Sequence, residues 1–146
     1  MRYLLDTNVL LRWVRPQADF SGVVRGAIDT LQARGEDLVI VPQVVVEFWC
    51  VATRPISRNG FGLLPHEVDE SLTFVETLFE LVPDVPGVHD EWRRLVRAHG
   101  VSGVQVHDAR LAAAMRVHGI SHILTLNDVD FERYAGITAV QPIAVT

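Results

Sequence analysis

Lysine is missing altogether: the 13 basic residues among 146 are all arginines. Schiff-base chemistry, pyridoxal enzymes and the phosphate loop that needs a lysine after its glycines are therefore excluded. Cysteine is almost absent. The single thiol, Cys50, cannot close an internal disulfide, which excludes a disulfide scaffold and favours a reducing, cytoplasmic setting. No apolar run approaches the ~18 residues of a membrane span. The start, MRYLLDTNVLLRW, has its apolar stretch broken by Asp6 and no small-residue cleavage pattern, so it does not read as a signal peptide. Proline (7) and glycine (10) are sparse against 49% hydrophobic and 21% charged residues, which excludes a disordered, collagen-like or low-complexity chain. A formal net charge of -5 argues against an evenly basic nucleic-acid coat, though not against a local cationic groove.

What is present fits one domain over residues 1–146, since domains run to roughly 100–200 residues. Short apolar runs alternate with amphipathic stretches. The pattern predicts strands at Arg2–Leu5, Leu38–Val41, Glu80–Val82, His122–Leu126 and Ile137–Val140. Between them it predicts helices over Thr7–Trp13, Gln43–Thr53, Pro65–Phe79, His89–His99 and His107–His118, and one capped by Ser21 and stopped by Gly35. Leu78 falls on the inward face of its helix, and Cys50, inside the apolar run Phe48–Val51, reads as core. Trp13, Trp49 and Trp92 have helical phases that suit packing or a protein interface. Strands interleaved with helices, with near-continuous apolar runs, indicate an α/β fold whose parallel sheet is covered on both faces. In such folds the site lies beyond the C-terminal ends of the strands.

Several acids fall at that rim. Asp6 ends the first strand and interrupts an apolar run at a desolvation cost. Glu47 lies in the helix after the second strand, Asp108 opens the alanine-rich helix, and Asn127, Asp128 and Asp130 follow the fourth strand. Individually, Asp108 is a good helix N-terminal charge and Asp128 a good cap. Gathered at one rim, carboxylates repel one another unless a cation joins them. Oxygen donors without cysteine, and without histidines at ligand spacing, suit a hard ion such as Mg²⁺ or Mn²⁺, and such ions handle phosphates. His118 and His122 are four apart, but Gly119 and the change from helix to strand between them spoil a zinc pair.

Taken together, LLDTNVLL at Leu4–Leu11, the lone acid Glu47, VHDARLAAA at Val106–Ala114 and LTLNDVDF at Leu124–Phe131 resemble a PIN-domain nuclease. The length and the HDA-x-x-AA variant resemble the VapC toxins of bacterial toxin–antitoxin pairs. This resemblance implies a PIN-like α/β/α sandwich with a five-stranded parallel sheet ordered 3-2-1-4-5. It also implies Mg²⁺-dependent (or Mn²⁺-dependent) hydrolysis of RNA phosphodiester bonds to 5′-phosphate and 3′-hydroxyl ends. Asp6, Glu47 and Asp108 match the first three acids of the family. The fourth falls on Asn127 or Asp128 by alternative counts, with Asp128 preferred as the charge near the metal, and Asp130 stands beside them. Thr7 resembles the family hydroxyl that hydrogen-bonds within the acid cluster, and it suits a helix N-cap equally. Asn8 is expected to orient Asp6 or a water.

Arg110 and Arg116, on the helix that Asp108 opens, are candidate RNA-phosphate contacts. Arg93, Arg94 and Arg97 share one helix and could line the same groove, but Arg93 and Arg94 read at least as well as a solvated face balanced by Asp90 and Glu91. The segment Pro55–Leu64, with Arg54 and Arg58, reads either as a mobile lip over the site or as an ordinary loop. The resemblance further implies a VapB-like antitoxin partner and a homodimer, and exposed apolar surface around Trp13 and over Glu47–Ala52 suits a partner groove. Two alternatives stand beside the toxin: a PIN nuclease of RNA processing outside such a pair, and a non-catalytic PIN binding domain. A phosphate-receiver domain also places acids at strand ends, but it requires a lysine and a second acid where this chain has Asn8.

Overall fold

The computed structural model describes residues 1–146. Its strands are β1 (Arg2–Leu5), β2 (Asp37–Ile40), β3 (Glu80–Leu81), β4 (His122–Leu124) and β5 (Thr138–Val140), all parallel in the order β3-β2-β1-β4-β5. Tyr3, Leu4 and Leu5 lie at the centre between Leu38–Ile40 and His122–Leu124, buried on both faces, so the strands read as continuous apolar runs rather than alternating ones. The order reverses between β1 and β4. One residue beyond those strands, the Asp6 amide still donates to the Leu124 carbonyl at 3.1 Å. The crevice of the sheet therefore opens directly at Asp6.

Six helices cover the sheet: α1 (Thr7–Val14), α2 (Ser21–Ala33), α3 (Pro42–Thr53), α4 (Pro65–Leu78), α5 (Gly87–Ala98) and α6 (Gln105–His118). Pro42 begins α3, where a missing N–H costs nothing. The buried positions Val44, Phe48 and Ala52 then recur every four residues. Cys50 lies on the opposite face and is exposed, which corrects its expected place in the core. Nor does Ser21 cap α2. It is the first helical residue, its hydroxyl is buried without a partner, and the chain enters through Phe20 in a left-handed conformation. Leu78, expected inward, is exposed at the last position of α4, just before the chain turns into β3. The last helix, α6, begins at Gln105, two residues earlier than its composition suggests, because backbone turns after Gly103 start it without a side-chain cap. Its alanines Ala109, Ala112, Ala113 and Ala114 are all buried, which lets the helix seat closely against its neighbours. No helix is long and apolar enough to cross a membrane.

Candidate active site

Asp6 is 6% exposed, and donors hold both its oxygens. Oδ1 accepts from the Thr7 amide at 2.7 Å, so the carboxylate also caps α1. Oδ2 accepts from the Thr125 hydroxyl at 2.7 Å and from the Asn8 amide at 3.3 Å. Asn8 in turn accepts from the Leu126 amide at 3.2 Å through its side-chain oxygen, which ties α1 to the end of β4. Burial pushes the Asp6 carboxyl above its ordinary range. The hydrogen bonds from Thr125 and Thr7 oppose that rise, and the charges of Glu47 and Asp130 add to it.

Glu47 is reached from α3. Its Oε2 accepts from the Thr7 hydroxyl at 2.6 Å and its Oε1 from the Gln43 amide at 2.8 Å. Gln43 also donates to the His107 carbonyl at 2.8 Å, linking α3 to the first turn of α6. That same turn carries Asp108, which accepts no side-chain hydrogen bond. Its carboxyl is pushed up to about 6, first by burial and then by the charges of Asp6, Asp130 and Glu47, with His107 opposing.

After β4 the chain makes a short 3-10 turn, Asp128–Phe131, with three residues per turn, so Asp128 and Asp130 point in different directions. Asp128 accepts from the Gln141 amide at 2.7 Å. Asp130 is the member of this segment whose charge raises both Asp6 and Asp108. Asn127 donates its backbone amide to the Thr125 hydroxyl at 3.0 Å. The structure thus brings Asp6, Glu47, Asp108 and Asp130 into one electrostatic cluster, and it turns Asp128 toward Gln141.

Beside Glu47 and Asp108 lies a cleft of about 850 Å³, walled also by Thr7, His107, Arg54 and Arg110. Arg110 is loosely held there, at 3.3 Å from Asp84 and 3.4 Å from Gln43. Arg116 is not part of this cleft: its guanidinium is tied to Glu91 at 2.8 Å and to the Ala135 carbonyl. Arg54 lines the cleft. Its guanidinium donates to the Asn59 carbonyl at 3.1 Å, and its Nε is buried without a partner. The loop after it is folded back tightly: a Cβ on Gly60 would lie 1.9 Å from the Arg54 carbonyl oxygen. Gly60→Ala should therefore displace the loop and cost about 1–3 kcal/mol in a urea melt. An unchanged midpoint would mean that the loop gives way freely and does not hold Arg54.

Gln43 and Thr125 were obscure in the sequence, and Arg54 stood out there only beside the Pro55–Leu64 loop. Gln43 stands one helical turn before Glu47, a spacing that pairs their side chains. Thr125 is a fully buried hydroxyl at the end of an apolar strand. Arg54 follows directly on the helix that carries Glu47.

As placed, no three histidine, cysteine, aspartate or glutamate side chains stand close enough to hold one ion. The chemistry nonetheless fits a hard cation. All the charged donors are oxygens, the charges of Glu47 and Asp130 push up the carboxyls of Asp6 and Asp108, and Asp108 has no hydrogen bond restraining it from turning inward.

The family profile described as the PIN domain matches residues 3–137. No curated protein matches the chain by sequence. Among solved structures, the chain is similar to VapBC2 of Rickettsia felis bound to a promoter DNA fragment, with a TM-score of 0.72 at 15% identity over 97% of this chain and 98% of that one. FitAcB of Neisseria gonorrhoeae is similar with a TM-score of 0.67 at 22% identity, covering 97% and 98%. VapC20 of Mycobacterium tuberculosis, a Sarcin-Ricin loop cleaving toxin, has a TM-score of 0.64 at 15% identity, covering 92% and 98%.

Proposed function

The chain belongs to the PIN-domain family, and from that membership we propose that it is a metal-dependent endoribonuclease serving as the toxin of a toxin–antitoxin pair. The observation that carries this reading is the convergence of Asp6, Glu47, Asp108 and Asp130 at the crevice of the sheet, beside a cleft edged by two arginines. Asp6 and Asp108 would hold Mg²⁺ or Mn²⁺, with Glu47 and Asp130 contributing through water or a second ion. When bound, the metal supplies neutralisation of the cluster and activation of water for attack on phosphorus.

The protein's own groups do the positioning. Thr125, Asn8 and the Thr7 amide fix both oxygens of Asp6. Thr7 and Gln43 fix Glu47. Arg54 and Arg110, which line the same cleft as Glu47 and Asp108, would offer planar forks to the RNA backbone.

The partner reading rests on a second groove of about 590 Å³, where Trp13, Val14, Leu63 and the exposed Phe74 form an apolar floor bordered by Arg25, Glu67 and Glu70. It suits an antitoxin segment with apolar anchors and charges of both signs. A homodimer rests on the family likeness alone. Purified chain with RNA and Mg²⁺ or Mn²⁺ should yield fragments with 5′ phosphates, and a chelator should stop the reaction. Expression should arrest growth, and co-expression of a small neighbouring antitoxin frame should relieve the arrest. Cleavage without growth arrest would favour RNA processing outside such a pair. The absence of both cleavage and metal binding would overturn the nuclease reading.

A further inference from the structure

A separate pocket of about 370 Å³ opens next to Asn127 and is used by nothing described so far. Its volume lies within the ~300–1,000 Å³ of small-ligand sites. Its walls are Phe20, Val23 and Ile143, with Arg12, Asn127 and Gln141 as the polar groups. Arg12 forms no ion pair. One of its nitrogens donates to the Asn8 carbonyl at 2.9 Å, and its Nε is buried without a partner. A guanidinium short of acceptors beside an apolar wall is a place for an anion attached to something flat and apolar.

Phe20 points the same way. It sits at φ 64°, ψ 6°, a left-handed conformation that costs a bulky side chain energy. Yet the residue is 63% exposed, so burial does not offset that cost. Ile143, 73% exposed, and Val23 face solvent beside it. The pocket is also joined to the acids. Asn8, which receives the Arg12 hydrogen bond, donates to Asp6, and Gln141 holds Asp128.

We propose that this pocket binds one nucleotide of a single-stranded RNA next to the scissile phosphate. The base lies on the Phe20 ring between Val23 and Ile143, a phosphate sits on Arg12, and the Asn127 and Gln141 amides read the base edge. This inference rests on the ribonuclease reading and deepens it by naming a base-selective subsite. Stacking on an aromatic face and hydrogen bonding to edges are how unpaired RNA is recognised, and a peptide docking on apolar surface alone would have no use for the unsatisfied guanidinium.

The test is equilibrium binding of four fluorescein-labelled RNA octamers, differing in one central base, to the Asp6→Asn chain, with and without Phe20→Gly, Arg12→Gln or Arg12→Lys. Phe20→Gly should raise Tm, because glycine accepts the left-handed conformation. It should also weaken binding about ten-fold and flatten the preference among octamers. Arg12→Gln should weaken all four about equally, and Arg12→Lys should restore part of the loss. Binding and preference left unchanged by both substitutions, in folded protein, would overturn the subsite while leaving the nuclease standing. If the parent binds no octamer and the wild-type chain cleaves no RNA, both readings fall. Unchanged RNA binding with a loosened antitoxin complex or an altered oligomeric state would overturn the subsite in favour of a protein interface.

Discussion

Replacing Asp6 with asparagine should abolish RNA cleavage and, at the same time, make the fold more stable. The loss should be about a hundredfold or more, since even partners that only orient metal ligands cost 10–100-fold when removed. The gain follows from burial. Asp6 is almost inaccessible, and burial is the main cause of its raised pKa, so its charge is a liability of folding. Asparagine keeps the shape and two of the three hydrogen-bond partners: its oxygen can accept from the Thr7 amide and its amide can donate to the Thr125 hydroxyl, while the long bond from Asn8 is lost. A gain of about 1 kcal/mol, or about 3 °C in Tm, is expected without metal. With Mn²⁺ the order should reverse, because an ion that binds only the folded state raises the Tm of the wild-type chain. Thermal melts in chelator and in Mn²⁺, paired with RNA cleavage, check both halves. Asp6→Asn cleaving within ten-fold of wild type, or a Tm rise with Mn²⁺ equal in both proteins, would show that Asp6 does not hold the metal.

The metal-free chain should lose stability as pH rises from about 4 to about 6, the reverse of what paired carboxylates do. Asp108 titrates at about 6 in the folded state against 3.8 ordinarily, and Asp6 is raised as well. In that window the folded chain holds more protons than the unfolded one, so folding is favoured at the acid end and the advantage fades as pH passes about 6. Glu91 works in the opposite sense. The Arg94 hydrogen bond, reinforced by Arg116, holds its carboxyl below the ordinary value of 4.5, so its contribution is lost only at lower pH. Urea midpoints in chelator at pH 4.5, 5.5 and 6.5 should therefore fall, and the fall should be smaller in Asp108→Asn. Identical profiles for the two proteins would remove Asp108 from the cluster. Because the carboxylates must shed protons to take up a cation, metal binding and cleavage should both weaken below about pH 6.

Much of the architecture was legible from local pattern. Apolar runs such as Tyr3–Leu5 and Leu38–Ile40 can be satisfied only between two layers of helix, and Asp6 breaks its run at the point where the sheet opens. The strand order came from the likeness of four motifs to a family, since nothing in any one strand specifies its neighbour. Asp6 stands at a strand end, Glu47 in the helix after the second strand and Asp108 in the first turn of α6, positions that local pattern marks.

Where periodicity is absent or the chain turns, the sequence was a poor guide. Asp128 and Asp130 are two residues apart in a tight turn, and which of them faces the acids depends on Gln141, which arrives from beyond β5 to occupy Asp128. Arg116 is drawn to a carboxylate on α5, while Arg54 lines the cleft beside a loop that folds back on Gly60. The left-handed Phe20 belongs to the same class. From its composition the chain settled which chemistries were closed to it, which runs had to be buried and where the acids would stand. Only the packed structure decided which of them share a field, because that depends on side chains more than a hundred residues apart, such as Asp6 and Thr125, meeting at one point.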